Sequence, residues 1–173
     1  MRRFLLGAIL FALMLSACQP APASPLELAR FEESAVRVVI TLSRDESHQP
    51  MISATLTPVE ANLHLYSKDI PRGGVDGLGR PALLELSPDA RIRARGALQE
   101  SAAADSAFAE IPDLQIYPPG AVTLSLPVTL PPGDDWSEEN LLITYMACTE
   151  YLCREPVEGK VVSVRVPQAE AFK

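Results

Sequence analysis

The segment YMACTEYLCREP, Tyr145 to Pro156, carries two cysteines, Cys148 and Cys153, with four residues between them. Sulfur at that spacing supports three chemistries: a disulfide that opens and closes, thiolate ligation of a metal, or an inert staple. Zinc needs four ligands. The only histidines are His48 in DESHQP and His64 in NLHLY, and neither has the spacing to complete a site with the cysteines. They read as a loop residue and a strand residue near the surface. Met146 supplies a third soft sulfur, which allows copper(I) on ligand type, but a methionine two residues before Cys148 fits a strand packing position. No Ser-His-Asp set is present. The run Gly73 to Gly79 has neither the GxGxxG order nor the GxxxxGK[ST] lysine of phosphate loops, and reads as a loop needing positive-φ residues. No cofactor or metal is expected.

The redox setting follows from the first residues. Arg2 and Arg3 precede an uncharged apolar run from Phe4 to Leu15, then Ser16, Ala17 and Cys18. This is the layout of an export signal, too short at about twelve residues for the ~20 that span a bilayer. No later segment is apolar for long enough, so no transmembrane helix is expected after processing. Leu15-Ser16-Ala17-Cys18 resembles the lipobox of bacterial lipoproteins, which implies cleavage after residue 17 and acylation of Cys18. Several acyl chains, each methylene contributing ~0.8 kcal/mol, would hold the protein on a membrane surface. Gln19 in place of the aspartate that favours inner-membrane retention points to the outer membrane, on its periplasmic face. Loss of Arg2 and Arg3 takes the formal charge from −7 to −9, which argues against nucleic acid and against attraction to anionic lipid. Residues 1–17 are thus the signal, 18–26 the acylated cysteine and a Pro/Ala tether, and 27–173 one domain large enough for its own core.

Elements that must position the cysteines show period-two apolar patterning. Strands are expected at Ala35 to Leu42, Met51 to Thr57, Asn62 to Tyr66, Ala82 to Leu86, Ala121 to Leu130, Leu141 to Ala147 and Lys160 to Val166. Seven short strands among sixteen prolines suggest an all-β antiparallel sandwich. Pro127 belongs at an edge or a bulge. Only Glu100 to Ala109 has a helix-like composition; residues 96 to 118 read as one long inter-strand excursion, a kind that is often functional.

With Cys18 acylated, two thiols remain in an oxidising compartment, and a disulfide is the default. A four-residue hairpin loop would place Cys148 and Cys153 opposite each other, ~4.5 to 5.5 Å apart between Cα atoms, within reach of a bridge. Closing so small a loop removes little unfolded-state entropy, and a bridge at an exposed tip tends to be labile. The residues alone leave redox activity and a structural bond evenly matched.

ITYMACTEYLCREPVEGKVVSVRV resembles the C-terminal hairpin of the N-terminal periplasmic domain of the thiol:disulfide interchange protein DsbD family, with Tyr145, Cys148, Cys153, Pro156 and the strand Val161 to Val166 at matching positions. AVTLSLPVTLPPG (Ala121 to Gly133) resembles the strand before that hairpin. NLHLYSKD (Asn62 to Asp69) and the following Gly/Pro loop resemble an aromatic strand and its turn. The likeness covers about 100 residues. It departs at Met146, where Gln is common, at Arg154-Glu155 before a single proline, and in the four residues between the cysteines, where DsbD itself tends to have five. The resemblance implies an immunoglobulin-like sandwich and a dithiol relay in which Cys153 bonds the partner and Cys148 resolves. It implies a cap loop with an aromatic, Phe108 or Tyr117, and site-lining roles for Tyr66, Asp69, Glu150 and Tyr151. The family's membrane-embedded segment and terminal thioredoxin-like domain lie beyond anything seen before Lys173, so electrons are expected to come from or go to separate thioredoxin-fold proteins or a membrane donor. The competing class is a binding sandwich whose disulfide only holds the hairpin.

Overall fold

The computed structural model describes residues 24–106 and 108–172; the signal, Cys18 and most of the tether lie outside them. Among the described residues thirteen strands run in chain order: β1 Leu26–Glu33, β2 Val36–Arg44, β3 Pro50–Pro58, β4 His64–Leu65, β5 Leu83–Leu86, β6 Arg93–Ala94, β7 Gln99–Glu100, β8 Asp105–Ser106, β9 Gln115–Ile116, β10 Val122–Thr129, β11 Trp136–Tyr145, β12 Ala147–Cys148 and β13 Val157–Pro167. Among the described residues there is no helix, and so none long and apolar enough to cross a membrane. The protein is all-β, and its antiparallel sheets form a sandwich.

One sheet is ordered β1-β2-β3-β10-β6, with β7 also on β10; the other is β13-β11-β5. Alternation decides which face each residue takes, because successive side chains on a strand point to opposite sides. Val36, Val38, Ile40 and Leu42 of β2, Ile52, Ala54 and Leu56 of β3, and Val122, Leu124, Leu126 and Val128 of β10 are buried. They meet Leu141 and Ile143 of β11, Leu84 of β5 and Val162, Val164 and Val166 of β13 in one core.

Strand β1 is absent from the sequence expectation, which placed a tether up to residue 26. LELARFEE carries three carboxylates and one arginine and buries its apolar side chains only in part, so its alternation is faint. Its place is set by pairing with β2, with a register shift between Glu27 and Ala29. Lys160 of β13 then reaches across to β1: its Nζ lies 2.9 Å from Glu33 and 5.2 Å from the Phe31 ring centroid.

Pro127, expected at an edge or a bulge, lies instead within the interior strand β10, at a gap between two short neighbours. On one side β10 pairs with β3 from Val122 to Pro127, the last opposite Met51; on the other, β7 covers Leu124 and Ser125 and β6 covers Val128 and Thr129. The Pro127 carbonyl accepts from Arg95 N at 2.8 Å on that second side. A strand residue's N–H points the same way as its carbonyl, so the missing donor falls between two short strands and costs β3 no hydrogen bond.

The described residues of the helix-like stretch Glu100 to Ala109 are not helical. The excursion forms a two-stranded arm, Asp105 opposite Ile116 and Ser106 opposite Gln115. It is tied to the segment after β4 by Ser67 N donating to Gln115 O, 3.0 Å, and by Tyr117 N donating to Leu65 O, 2.9 Å. Tertiary pairing of the arm's ends outweighs the alanine content.

Candidate functional site

Strands β4 and β12 form a two-stranded ribbon, Ala147 opposite Leu65 and Cys148 opposite His64. Period two sorts its side chains. Leu63, Leu65 and Ala147 enter the main core, while the residues between them face the other way. There Tyr66 and Cys148 join Ile70 and Leu114 in a second, smaller apolar cluster, with Val75, Phe108, Ile111, Ile116 and Met146 packed against it. Met146 is thus a packing residue of this cluster. Among the described residues no group of three or more His, Cys, Asp and Glu is placed to hold a metal ion.

Cys148 and Cys153 are bonded to each other, Cα to Cα 4.0 Å. Thr149 N donates to Leu152 O and Arg154 N donates to Ala147 O, both at 2.8 Å. These two bonds flank the cysteines, which makes them a non-hydrogen-bonded antiparallel pair, the closer of the two kinds. Their spacing is closer still than the ~4.5 Å usual for such a pair and lies below the expected ~4.5 to 5.5 Å. The Thr149 hydroxyl also accepts from Tyr151 N at 3.2 Å and from Leu152 N at 3.0 Å, closing the turn.

The two sulfurs differ in environment. Cys148 is 1% exposed and walled by the second cluster; Cys153 is exposed. The tip beyond them is apolar and open, with Tyr151 92% and Leu152 63% exposed.

The aromatic residues of the excursion separate cleanly. Phe108 is half-buried and packed against the Cys148 cluster. Tyr117, named beside it from the sequence, is not a cap: it lies in the main core, its hydroxyl donating to Glu100 Oε2 at 2.5 Å and accepting from Lys68 N at 3.0 Å. It directly follows Ile116, which faces the second cluster, so alternation turns Tyr117 to the opposite side. Burial, reinforced by the Glu100 carboxylate, raises its pKa.

Tyr66 is buried in the Cys148 cluster, and desolvation raises its pKa. Asp69 is exposed and paired with Lys68 at 2.7 Å, outside the packing around the cysteines. Glu150 and Tyr151 are exposed on the hairpin loop rather than lining an enclosed site.

His64 is the residue that sequence reading undervalued. It is half-buried rather than superficial, its Nε2 is buried without a hydrogen-bond partner, and its ring meets Tyr66 edge-on at 5.3 Å and Phe108 at 6.5 Å. Desolvation holds its pKa below the usual imidazole range, and the Glu150 carboxylate offsets part of this. The unfolded chain therefore binds a proton more readily than the fold. The resulting penalty is absent above the unfolded value near ~6.5, grows as the pH falls below it, and levels off under the folded value. In urea unfolding of the oxidised protein between about pH 8 and about pH 5, the wild type is expected to lose stability relative to His64→Gln on acidification. Parallel curves would mean that the imidazole is not desolvated.

The class defined so far is an all-β sandwich carrying a hairpin-tip disulfide, one sulfur open and one enclosed. Set against protein-family models, curated proteins and solved structures, the chain has no match.

Proposed function

We propose that this protein is a lipid-anchored thiol:disulfide exchange protein at the periplasmic face of a bacterial membrane, the outer one favoured. It relays electrons to or from thioredoxin-fold partners through the Cys148/Cys153 pair. The observation that carries the reading is the asymmetry of the bridge: Cys153 stands open at a turn while Cys148 is sealed behind it. Exchange needs this arrangement, since an attacking thiolate must reach one sulfur and the other must stay close to resolve. Phe108 shields the enclosed sulfur, and the open Tyr151 and Leu152 give a partner an apolar landing beside the reactive atom. The lipid anchor rests on the Leu15 to Cys18 motif, and the immunoglobulin-like topology on the likeness of the hairpin and its neighbouring strands.

The rival reading, a binding sandwich with a structural bridge, draws on the same exposed Tyr151 and Leu152, which would suit any protein surface. The reduction potential and the kinetics of opening separate the two. Structural bonds in secreted proteins lie below about −300 mV and exchange-active ones above it. In the full chain, a potential above that limit is expected, with reduced thioredoxin opening the bridge far faster than an equal concentration of glutathione. A potential below it, with no advantage for thioredoxin, overturns the relay in favour of the binding module.

A further inference from the structure

We propose that His64 is the proton acceptor for Cys148 in the resolving step of exchange, an inference that rests on the relay reading above. His64 and Cys148 are directly opposite on the β4–β12 ribbon, and opposed residues share a face with Cβ atoms roughly 4.5 to 5.5 Å apart. Both side chains face the second cluster, away from the main core. The buried Nε2 of His64 has no hydrogen-bond partner, although leaving a buried polar atom unsatisfied is destabilising. A histidine left in that condition beside a sulfur has a use for its lone pair when the sulfur is a thiol.

Cys148 is in need of such a group. A buried thiol is held in its protonated form because burial disfavours the thiolate, and at 1% exposure water cannot easily take its proton. The titratable groups that face His64 are Tyr66 just past its own strand, Cys148 on the paired strand and Glu150 on the hairpin loop; the arm contributes the uncharged ring of Phe108. A phenol and a thiol do not compete for the role, and the exposed Glu150 favours the imidazolium once it forms.

The step balances as follows. In the reduced protein the Cys153 thiolate attacks a partner disulfide, forming the Cys153–partner bond and releasing one partner thiolate. Cys148 then gives its proton to His64 Nε2, and its thiolate attacks the Cys153 sulfur. The mixed disulfide breaks, the Cys148–Cys153 bond forms and the second partner thiolate leaves. Two electrons pass to the partner, and the imidazolium releases its proton to that leaving thiolate or to solvent. Run in reverse, the imidazolium protonates Cys148 as it departs.

The test uses the reduced full chain and one equivalent of dithiobis(nitrobenzoate), whose two coloured thiolates leave in sequence, the first on attack by Cys153 and the second on resolution by Cys148. In His64→Gln the first release is expected unchanged and the second slowed about a hundred-fold near pH 7, the scale of a lost general base. Its rate should then climb with pH through and beyond the ordinary thiol range near ~8.5, since burial holds the thiol protonated, whereas the wild type levels off earlier. Urea unfolding of the variant establishes that it is folded, and recovery of the second release in alkali then shows that it lacks only a proton acceptor. An unchanged second release and an unchanged pH profile would overturn the proposal. Should His64→Gln fail to fold, the wild-type profile decides alone: a second release governed by one ordinary thiol ionisation counts against it. Because this reagent does not depend on the biological partner, loss of thioredoxin exchange with the His64 effect intact sinks the relay reading and leaves the proton transfer standing.

Discussion

Serine at position 148 is expected to leave a long-lived mixed disulfide between Cys153 and a thioredoxin-fold protein, whereas serine at position 153 lowers exchange by more than about a thousand-fold, some 4 kcal/mol of barrier. The asymmetry follows from access. Displacement at sulfur requires the nucleophile to reach the bond it breaks; Cys153 is exposed, and Cys148, 1% exposed, is enclosed by Tyr66, Leu114 and the arm carrying Phe108. With Cys148 replaced, the first bond to the partner still forms and nothing nearby displaces it. With Cys153 replaced, the remaining thiol is walled in. The check is non-reducing electrophoresis of the full-length variants expressed in an exporting bacterium, followed by identification of the trapped protein. Adducts that run through Cys148, or equal trapping by both variants, would reverse the assigned roles.

Alanine at Gly79 is expected to destabilise the oxidised protein by roughly 2 to 4 kcal/mol, combining the cost of a left-handed non-glycine residue with that of overpacking. Gly79 has φ +75°, and a Cβ there would lie 2.8 Å from Tyr66 Cδ1 and 2.9 Å from Cε1. Tyr66 is 4% exposed and packed with Cys148, so its ring has little room to withdraw. Gly77 is the internal control: its φ is +84°, yet a Cβ meets nothing within 4 Å. Gly77→Ala bears the backbone cost alone, about 1 to 2 kcal/mol. Urea unfolding of both variants isolates the contact with Tyr66 as their difference. Equal losses would show that the ring yields freely and that the Gly-rich loop does not buttress the sulfur cluster. Against a typical domain stability of about 5 to 15 kcal/mol, either outcome is measurable.

How far the sequence carried these readings depends on the range of the interaction that decides each feature. Strands β2, β3, β10, β11 and β13 were legible because both members of the pattern, buried and exposed, alternate within a few residues of each other. The bridge was legible for the same reason: Cys148 and Cys153 are five positions apart, and a short antiparallel turn brings such residues together whatever surrounds it. Strand β1 was not, since its apolar face is only half covered and its partner, not its pattern, holds it in place.

Phe108 and Tyr117 could not be told apart in the sequence, both being aromatics in one long excursion; only the pairing of the arm with the residues around β4 sends one to the cysteines and the other to the main core. His64 was placed near the surface for the want of any local sign to the contrary. Its role depends on standing opposite Cys148, a residue remote in the chain, and on losing its water to the rings of Tyr66 and Phe108. The amino-acid order by itself thus determined the alternating strands and the sulfur bridge, because backbone geometry enforces both at short range. Which sulfur is open, and which imidazole faces the closed one, was decided by tertiary packing alone, since burial and cross-strand register are properties of distant segments brought together.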